Sequence, residues 1–240
     1  DKLAGGKTGD KTLTRIIKWD DPKKDPLGEV MEVIGRSGLH ETEMKAIVLD
    51  RGFQSIFPQA VEIEAQALKK HETKILPAEA KKRRDFRKVL TFTIDPIDAK
   101  DFDDALSFQP LANGNYEVGI HIADVSHYVQ PDTALDDEAK KRATSIYLVD
   151  RTIPMLPEIL SNDLCSLKPD EDKLTFSVIV VLTPTGELLK TDFAKTIIRS
   201  AKRFTYEEGQ TVLDSPEGLF ADALLALNKL AYVLRAKKIA

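Results

Sequence analysis

The chain has 240 residues, of which 42% are hydrophobic and 31% are charged, and its net charge is −4. With only 12 glycines and 12 prolines it is not a low-complexity chain, and its length fits one large domain or one domain plus a smaller one. The longest plain aliphatic run, residues 178–182, is far shorter than the ~20 apolar residues of a membrane-spanning helix. The single cysteine, Cys165, excludes an intrachain disulfide framework and a cysteine-rich zinc site. We therefore expect no membrane, no disulfide partner and a reducing, cytoplasmic location.

The first 71 residues predict two strands followed by two helices. Residues 12–19 and 29–35 are short, apolar and rich in β-formers, and the prolines and glycine of residues 20–28 favour a chain reversal between them. The pair is typical of the closing strands of a small β-barrel. Residues 42–51 and 59–71 then predict short helices.

A basic segment is followed directly by an acidic one. Residues 69–88 hold nine Lys or Arg against three acids, whereas residues 95–104 hold five Asp against one Lys. We expect residues 72–88 to form a linker or a surface arm. The acidic segment requires a separate explanation, because its charge is concentrated between apolar runs.

The second half of the chain alternates strand and helix patterns. Strands are predicted at residues 89–94 and 116–125, and a hairpin at residues 174–182 and 188–198. Residues 133–146 predict a polar helix, and an amphipathic helix is predicted to start at Ser215-Pro216. For residues 88–240 these elements indicate an α+β fold, a mixed sheet with packed helices.

The most informative segment is DPIDAKDFDD, residues 95–104. Carboxylates crowded at a strand end repel one another by about 1 kcal/mol per pair at ~4 Å in water, and by more when partly buried. A fully solvated turn is one interpretation, and a cation that neutralises the cluster is the other. The apolar flanks, and Phe102 between two acids, favour a loop that packs against the protein.

Oxygen ligands favour a hard cation such as Mg²⁺, Mn²⁺ or Ca²⁺. The spacing fits neither register of a calcium EF-hand loop, which needs Gly at position 6 and Glu at position 12. Mg²⁺ takes a few carboxylates together with substrate phosphate oxygens, and two such ions can assist phosphodiester hydrolysis. The residues therefore favour phosphate chemistry.

Several sequence segments resemble the catalytic (RNB) domain of the ribonuclease II/ribonuclease R family. They resemble the ribonuclease R branch most closely. They are TIDPIDAKDFDDA, HIADVSHYV, TSIYLVDRTIPMLPEILSNDLCSL and RFTY, within residues 88–210. Residues 1–60 resemble the end of the second cold-shock (OB-fold) domain that precedes the catalytic domain in this family. The resemblance implies three regions: a partial OB-fold at 1–60, a helical and basic linker at 61–87, and the N-terminal part of the catalytic domain at 88–240.

The resemblance also implies an activity and a set of site residues. The activity is processive 3′→5′ hydrolysis of single-stranded RNA to nucleoside 5′-monophosphates, with Mg²⁺ or Mn²⁺ and a two-metal mechanism. The family's four aspartates correspond to Asp95, Asp101, Asp103 and Asp104, which we count as catalytic and metal-site residues. Among them Asp103 is expected to orient the reacting groups. Tyr147 matches a tyrosine that stacks on an RNA base, and residues 81–88 are either a solvated linker or contacts for RNA phosphates.

The family pattern extends beyond residue 240, where an arginine and a glutamate complete the site, and it includes further RNA-binding domains. We therefore expect the chain to be a monomeric fragment that is inactive, or nearly so, by itself. Two alternatives stay open: a non-catalytic RNA-binding homologue, and a structural cation-binding loop whose stability would fall markedly on Asp103→Asn. The residues Asp98, His121, His127 and Cys165 are expected to be structural.

Overall fold

The computed structural model describes the backbone of residues 3–239 and their side chains, apart from those of residues 73–75 and 239. Two compact units make up the chain. Unit 1 comprises Asp1–Gln59 with Lys141–Met155, and unit 2 comprises Ala60–Lys140 with Leu156–Ala240. No sequence pattern indicated that residues 141–155 associate with the N-terminal segment.

The chain contains eleven strands, six α-helices and one π-helical turn within the described residues. In chain order they are β1 (Asp10–Lys18), β2 (Leu27–Arg36), α1 (His40–Asp50), α2 (Gln59–Ala80), β3 (Arg84–Asp85), β4 (Thr91–Asp95), β5 (Asp104–Pro110), β6 (Tyr116–Ala123), α3 (Val125–Tyr128), α4 (Ala134–Arg142), β7 (Ile146–Tyr147), β8 (Thr152–Ile153), the π-helical turn (Leu160–Leu164), β9 (Asp172–Leu182), β10 (Leu188–Arg199), β11 (Lys202–Thr205), α5 (Tyr206–Asp214) and α6 (Ala221–Ile239). No helix among the described residues is long and apolar enough to cross a membrane.

Unit 1 is built on the predicted hairpin. Strands β1 and β2 pair antiparallel with several irregularities in register, and α1 lies against them. A Cβ at Gly35 would lie 2.6 Å from Thr42 Oγ1, so only glycine permits this approach of the helix. Arg151, from the later segment of the unit, pairs with Glu41 of α1 at 2.6 Å and also with Asp150.

Unit 2 is built on a seven-stranded mixed sheet in the order β11-β4-β5-β6-β9-β10-β3. The β4–β11 and β3–β10 pairs are parallel, and the other pairs are antiparallel. The α+β fold with a mixed sheet is confirmed. Strands β5 and β11 were not predicted: β5 starts at a carboxylate and carries Ser107 in its interior, and β11 is only four residues long.

One face of the sheet carries an aromatic core that α6 covers. The rings of Phe92, Phe204 and Phe220 meet edge to face at centroid distances of 5.2–5.8 Å, and Ala223, Leu224 and Leu230 of α6 belong to the same core. Edge-to-face packing of this kind adds roughly 0.5–1.5 kcal/mol per pair beyond area burial.

The amphipathic helix starts later than the sequence predicted. The expected start at Ser215-Pro216 is wrong, because the chain first turns through Gly218, whose φ is +82°, and α6 begins at Ala221.

The basic segment belongs to the folded unit. Helix α2 continues through residues 72–80, although it contains Pro77. The assignment of this segment as a linker or surface arm stays a prediction. The side chain of Arg83 is 1% exposed and pairs at 2.7 Å with Asp124, which is 2% exposed. Arg83 also donates to the Thr175 carbonyl at 3.3 Å. Internal acids therefore neutralise part of the positive charge that the sequence placed on the surface.

We expect Arg83→Met to destabilise the protein by about 3–5 kcal/mol, because it leaves the Asp124 carboxylate buried without its partner. The matched control is Arg84→Met, whose partners Asp192 and Glu117 lie at the surface, so about 0–1 kcal/mol is expected. Urea denaturation measures both variants. Equal losses would show that the buried pair has no special role.

Candidate functional site: the aspartate loop

The segment from Asp95 to Asp104, here called the aspartate loop, joins β4 to β5. These two strands pair through Thr91 and Phe92 of β4 only, and beyond that point they separate. The gap leaves room for the loop at the end of the sheet. Strand β4 pairs on its other edge with β11, where Asp95 lies opposite Thr205. Thr205 caps α5 by accepting a hydrogen bond from the Glu208 N–H.

Most backbone hydrogen bonds of the aspartate loop run to other elements. The Phe102 N–H donates to Ser166 Oγ at 3.1 Å, and the Ser166 hydroxyl donates to the Lys100 carbonyl at 2.8 Å. The Leu167 N–H donates to the Phe102 carbonyl, and the Ala123 N–H donates to the Asp103 carbonyl, both at 2.9 Å. The backbone of the loop is thus anchored to unit 2, while Asp98, Asp103 and Asp104 are exposed.

Asp95 is the buried member of the set. It is only 8% exposed, and its Oδ2 has no hydrogen-bond partner. Burial raises the pKa of Asp95, and the carboxylates of Asp104 and Asp101 raise it further, while Thr93 and Arg203 act in the opposite direction. A buried acceptor without a donor is costly, which marks this oxygen as a position where a cation would be stabilising.

Asp103 is the second carboxyl group with a raised pKa. The residue as a whole is exposed, yet neighbouring atoms remove enough water from its carboxyl group to raise the pKa. The charges of Asp101, Asp104 and Asp95 add to this effect. The charges of Asp101 and Asp104 therefore act on both Asp95 and Asp103.

Arg203 is a site residue to which the sequence analysis gave no role. Its Nη2 donates to the Pro96 carbonyl, and its guanidinium carbon lies 5.5 Å from the centre of the Phe102 ring. Its charge lowers the pKa of Asp95 against the effect of burial. The sequence feature that could have identified Arg203 is its position in RFTY, one of the segments on which the family resemblance rests.

The donor set fits a hard divalent cation. Ionised carboxylates are acceptors only, and oxygen ligands suit Mg²⁺ and Mn²⁺. A cation would offset both the burial and the repulsion that raise the pKa values of Asp95 and Asp103. Within the part of the chain that the structure describes, no three His, Cys, Asp or Glu side chains are close enough together to hold a metal ion. The metal assignment of Asp95, Asp101, Asp103 and Asp104 therefore stays a prediction.

The remaining predicted residues have clear positions. Tyr147 lies on β7 in unit 1 with 70% of its surface exposed, so its role in RNA stacking stays a prediction. Asp98 is exposed in a turn of the aspartate loop. His121 is fully buried between Ser107 Oγ at 2.8 Å and Ser177 Oγ at 2.7 Å, and burial lowers its pKa to about 4. A neutral histidine with both ring nitrogens bonded in this way has a structural role.

Comparison with protein families identifies both regions of the chain. The RNB domain matches residues 83–240, and the cold shock domain matches residues 1–58. The RNB match covers more than half of the chain, so the chain belongs to the RNB family. Both matches agree with the resemblance that the sequence phrases indicated.

Curated relatives carry nuclease names. Ribonuclease R of Thermotoga maritima is 38% identical over 247 residues, which cover 98% of this chain and 34% of that protein. DIS3-like exonuclease 2 of Xenopus tropicalis is 44% identical over 207 residues, which cover 85% of this chain and 24% of that protein. The chain thus spans about a quarter to a third of the length of these relatives.

Solved structures show the same fold. RNase R of Mycoplasma genitalium, in complex with ribose methylated single-stranded RNA, matches with a TM-score of 0.85 at 27% identity, over 97% of this chain and 36% of that chain. Yeast Ssd1, described as a pseudonuclease, matches with a TM-score of 0.76 at 21% identity, over 97% of this chain and 29% of that chain. The second match shows the fold alone.

We expect Asp103→Asn to raise the melting temperature at pH 7 in buffer with EDTA. The raised pKa of Asp103 means that the folded protein takes up this proton more readily than the unfolded chain does. The ionised carboxylate therefore destabilises the fold at neutral pH. This cost disappears as the pH falls through the raised pKa towards the unfolded value of roughly 4.

The stability gain of Asp103→Asn should consequently shrink between pH 7 and pH ~4 in thermal unfolding. Asp98→Asn, on an exposed residue of the same loop, is the control and should change the melting temperature little. A marked loss of stability in Asp103→Asn when Mg²⁺ replaces EDTA in the buffer would instead favour a purely structural cation-binding loop.

Proposed function

We propose that residues 88–240 form part of the catalytic domain of a processive 3′→5′ exoribonuclease that hydrolyses single-stranded RNA to nucleoside 5′-monophosphates. The observation that carries this proposal is the complete aspartate set on one anchored loop within the RNB match. We assign Asp95, Asp101, Asp103 and Asp104 to the site and Mg²⁺, or Mn²⁺, as its cofactor. The RNA partner is suggested by the relative that was solved with single-stranded RNA.

We assign different roles to the four aspartates according to their environments. Asp95, Asp101 and Asp104 would hold the metal, with the buried Asp95 Oδ2 as its least solvated ligand. Bound Mg²⁺ would supply charge stabilisation and an activated water, in the manner of two-metal phosphodiester hydrolysis. Asp103 would orient the reacting groups.

The domain organisation belongs to the same proposal. We assign residues 1–60 to the end of a cold-shock OB-fold, residues 61–87 to a connecting helical and basic segment, and residues 88–240 to the first part of the catalytic domain. We further propose a cytoplasmic monomer.

A non-catalytic RNA-binding protein is the second candidate. The fold match to a pseudonuclease shows that this architecture also occurs in a protein without nuclease activity, and fold does not determine function. Retention of all four aspartates favours the enzyme. Product formation in the presence of Mg²⁺ separates the two candidates.

The test is a chimera in which residues 83–240 replace the matching residues of Thermotoga maritima ribonuclease R. We expect it to release nucleoside 5′-monophosphates from poly(A) in Mg²⁺, whereas the isolated 240-residue chain should be inactive or nearly so. A folded chimera that binds poly(A) and forms no product would support the non-catalytic candidate.

In this chimera, Asp103→Asn should lower the cleavage rate by at least about 100-fold, because the reacting groups lose their orientation. RNA affinity should be retained, since Asp103 is assigned to orienting the reacting groups and not to binding the RNA strand. Gel shift and product chromatography measure the two effects separately. Asp98→Asn is the control and should keep both; a parallel loss of binding and cleavage in Asp103→Asn would contradict the assigned role.

Tyr147→Ala in the same chimera should weaken binding of single-stranded RNA by about 1–3 kcal/mol, the value of one base stacked on an aromatic ring. Tyr147→Phe keeps the ring and should bind like the parent. Fluorescence anisotropy with a short labelled oligonucleotide measures both. Equal affinities for the Ala and Phe variants would remove Tyr147 from the RNA site.

A further inference from the structure

Ser166 is a fully buried polar residue in the segment that faces the aspartate loop. It follows the π-helical turn Leu160–Leu164, whose geometry is rare in proteins and frequent at functional sites. Nothing in the spacing of the sequence relates Ser166 to the aspartates, from which it is separated by more than sixty residues. Its hydroxyl nevertheless makes two hydrogen bonds to that loop.

The two hydrogen bonds lie on either side of a site aspartate. Ser166 Oγ accepts from the Phe102 N–H at 3.1 Å and donates to the Lys100 carbonyl at 2.8 Å. Asp101 is the residue between these two groups. One hydroxyl thus fixes the peptide groups before and after Asp101, and the adjacent Leu167 N–H fixes the Phe102 carbonyl at 2.9 Å.

The segment that carries Ser166 is itself anchored. The Lys173 side chain is 3% exposed, and its Nζ donates at 2.6 Å to the Asp163 carbonyl of the π-helical turn. Glu171 balances this lysine at 2.8 Å. Because the segment that carries Ser166 is held in place, the Ser166 hydroxyl can in turn hold the aspartate loop.

We propose that Ser166 is a positioning residue that sets the direction of Asp101 for the metal. The inference rests on the proposed function and adds to it a residue that touches neither metal nor RNA. Loss of the hydroxyl would leave a partly buried donor and acceptor of the loop backbone without their partner, and the loop would relax to satisfy them.

The test uses the 240-residue chain and Mn²⁺ as the probe, followed by electron paramagnetic resonance. Ser166→Ala should weaken Mn²⁺ binding by about tenfold, which corresponds to the loss of one or two net hydrogen bonds. Exchange of the Phe102 amide hydrogen, measured without metal, should accelerate by a similar factor. This second readout reports loop order independently of any catalytic function.

The matched control is Ser177→Ala. Ser177 is equally buried, and its hydroxyl bonds to His121 and Thr196, away from the aspartate loop. This variant should lose stability like Ser166→Ala and yet bind Mn²⁺ like the unsubstituted chain. Ser166→Cys preserves most of the side-chain volume with a weak donor, and it should fold and show an intermediate affinity.

The outcomes separate the inference from the proposed function. If Asp104→Asn weakens Mn²⁺ binding and Ser166→Ala does not, the positioning role is wrong and the metal site stands. If the unsubstituted chain binds no Mn²⁺, the metal site fails and the positioning role fails with it. Equal losses of Mn²⁺ affinity in Ser166→Ala and Ser177→Ala would show that Ser166 has only a structural role. The same conclusion would follow if Ser177→Ala folds while Ser166→Ala and Ser166→Cys both fail to fold.

Discussion

Repulsion among four carboxylates within ten residues is the constraint on which the arrangement of unit 2 depends. Burial, and in second place the charges of the neighbouring carboxylates, raise the pKa of Asp95 and of Asp103. A flexible segment would relieve the repulsion by spreading into water. The observed loop does not, because its backbone is bonded to β6 and to the segment after the π-helical turn.

The sheet supplies the rigidity that this constraint requires. Strands β4 and β5 pair briefly and then separate, so the loop begins at the buried Asp95 and ends at Asp104, which pairs with β6. Arg203 of β11 places a positive charge that lowers the pKa of Asp95, and it holds the Pro96 carbonyl as well. A site that stores unfavourable electrostatic energy in this way is suited to a cation, since the cation recovers that energy on binding.

The basic segment illustrates how tertiary structure reassigns charge. In the sequence it is a run of cations beside a run of anions, and it suggested a solvated arm or contacts for RNA phosphates. In the fold Arg83 is buried against Asp124, and Arg87 pairs with Asp85 and Asp172. Cations committed to internal partners are less available to an RNA backbone, so the net charge of a segment is a poor guide to its function.

The sequence by itself determined the family, the aspartate loop and most of the strands, because these depend on local patterns of residue type. Asp95, Asp101, Asp103 and Asp104 are adjacent in the chain, so their proximity needed no fold. The hairpin β9–β10 likewise followed from alternation and a turn. Short or polar strands such as β11 lacked such a pattern and were found only in the structure.

Only the tertiary structure identified Ser166 and Arg203, which lie more than sixty and more than ninety residues from the loop that they contact. Their side chains donate hydrogen bonds to backbone carbonyl groups. Because almost every residue carries the same backbone groups, the sequence does not indicate which of them will be bonded. The association of residues 141–155 with unit 1 was decided in the same way, through ion pairs such as Arg151–Glu41. Contacts that depend on where distant segments meet are set by packing, and no local pattern encodes them.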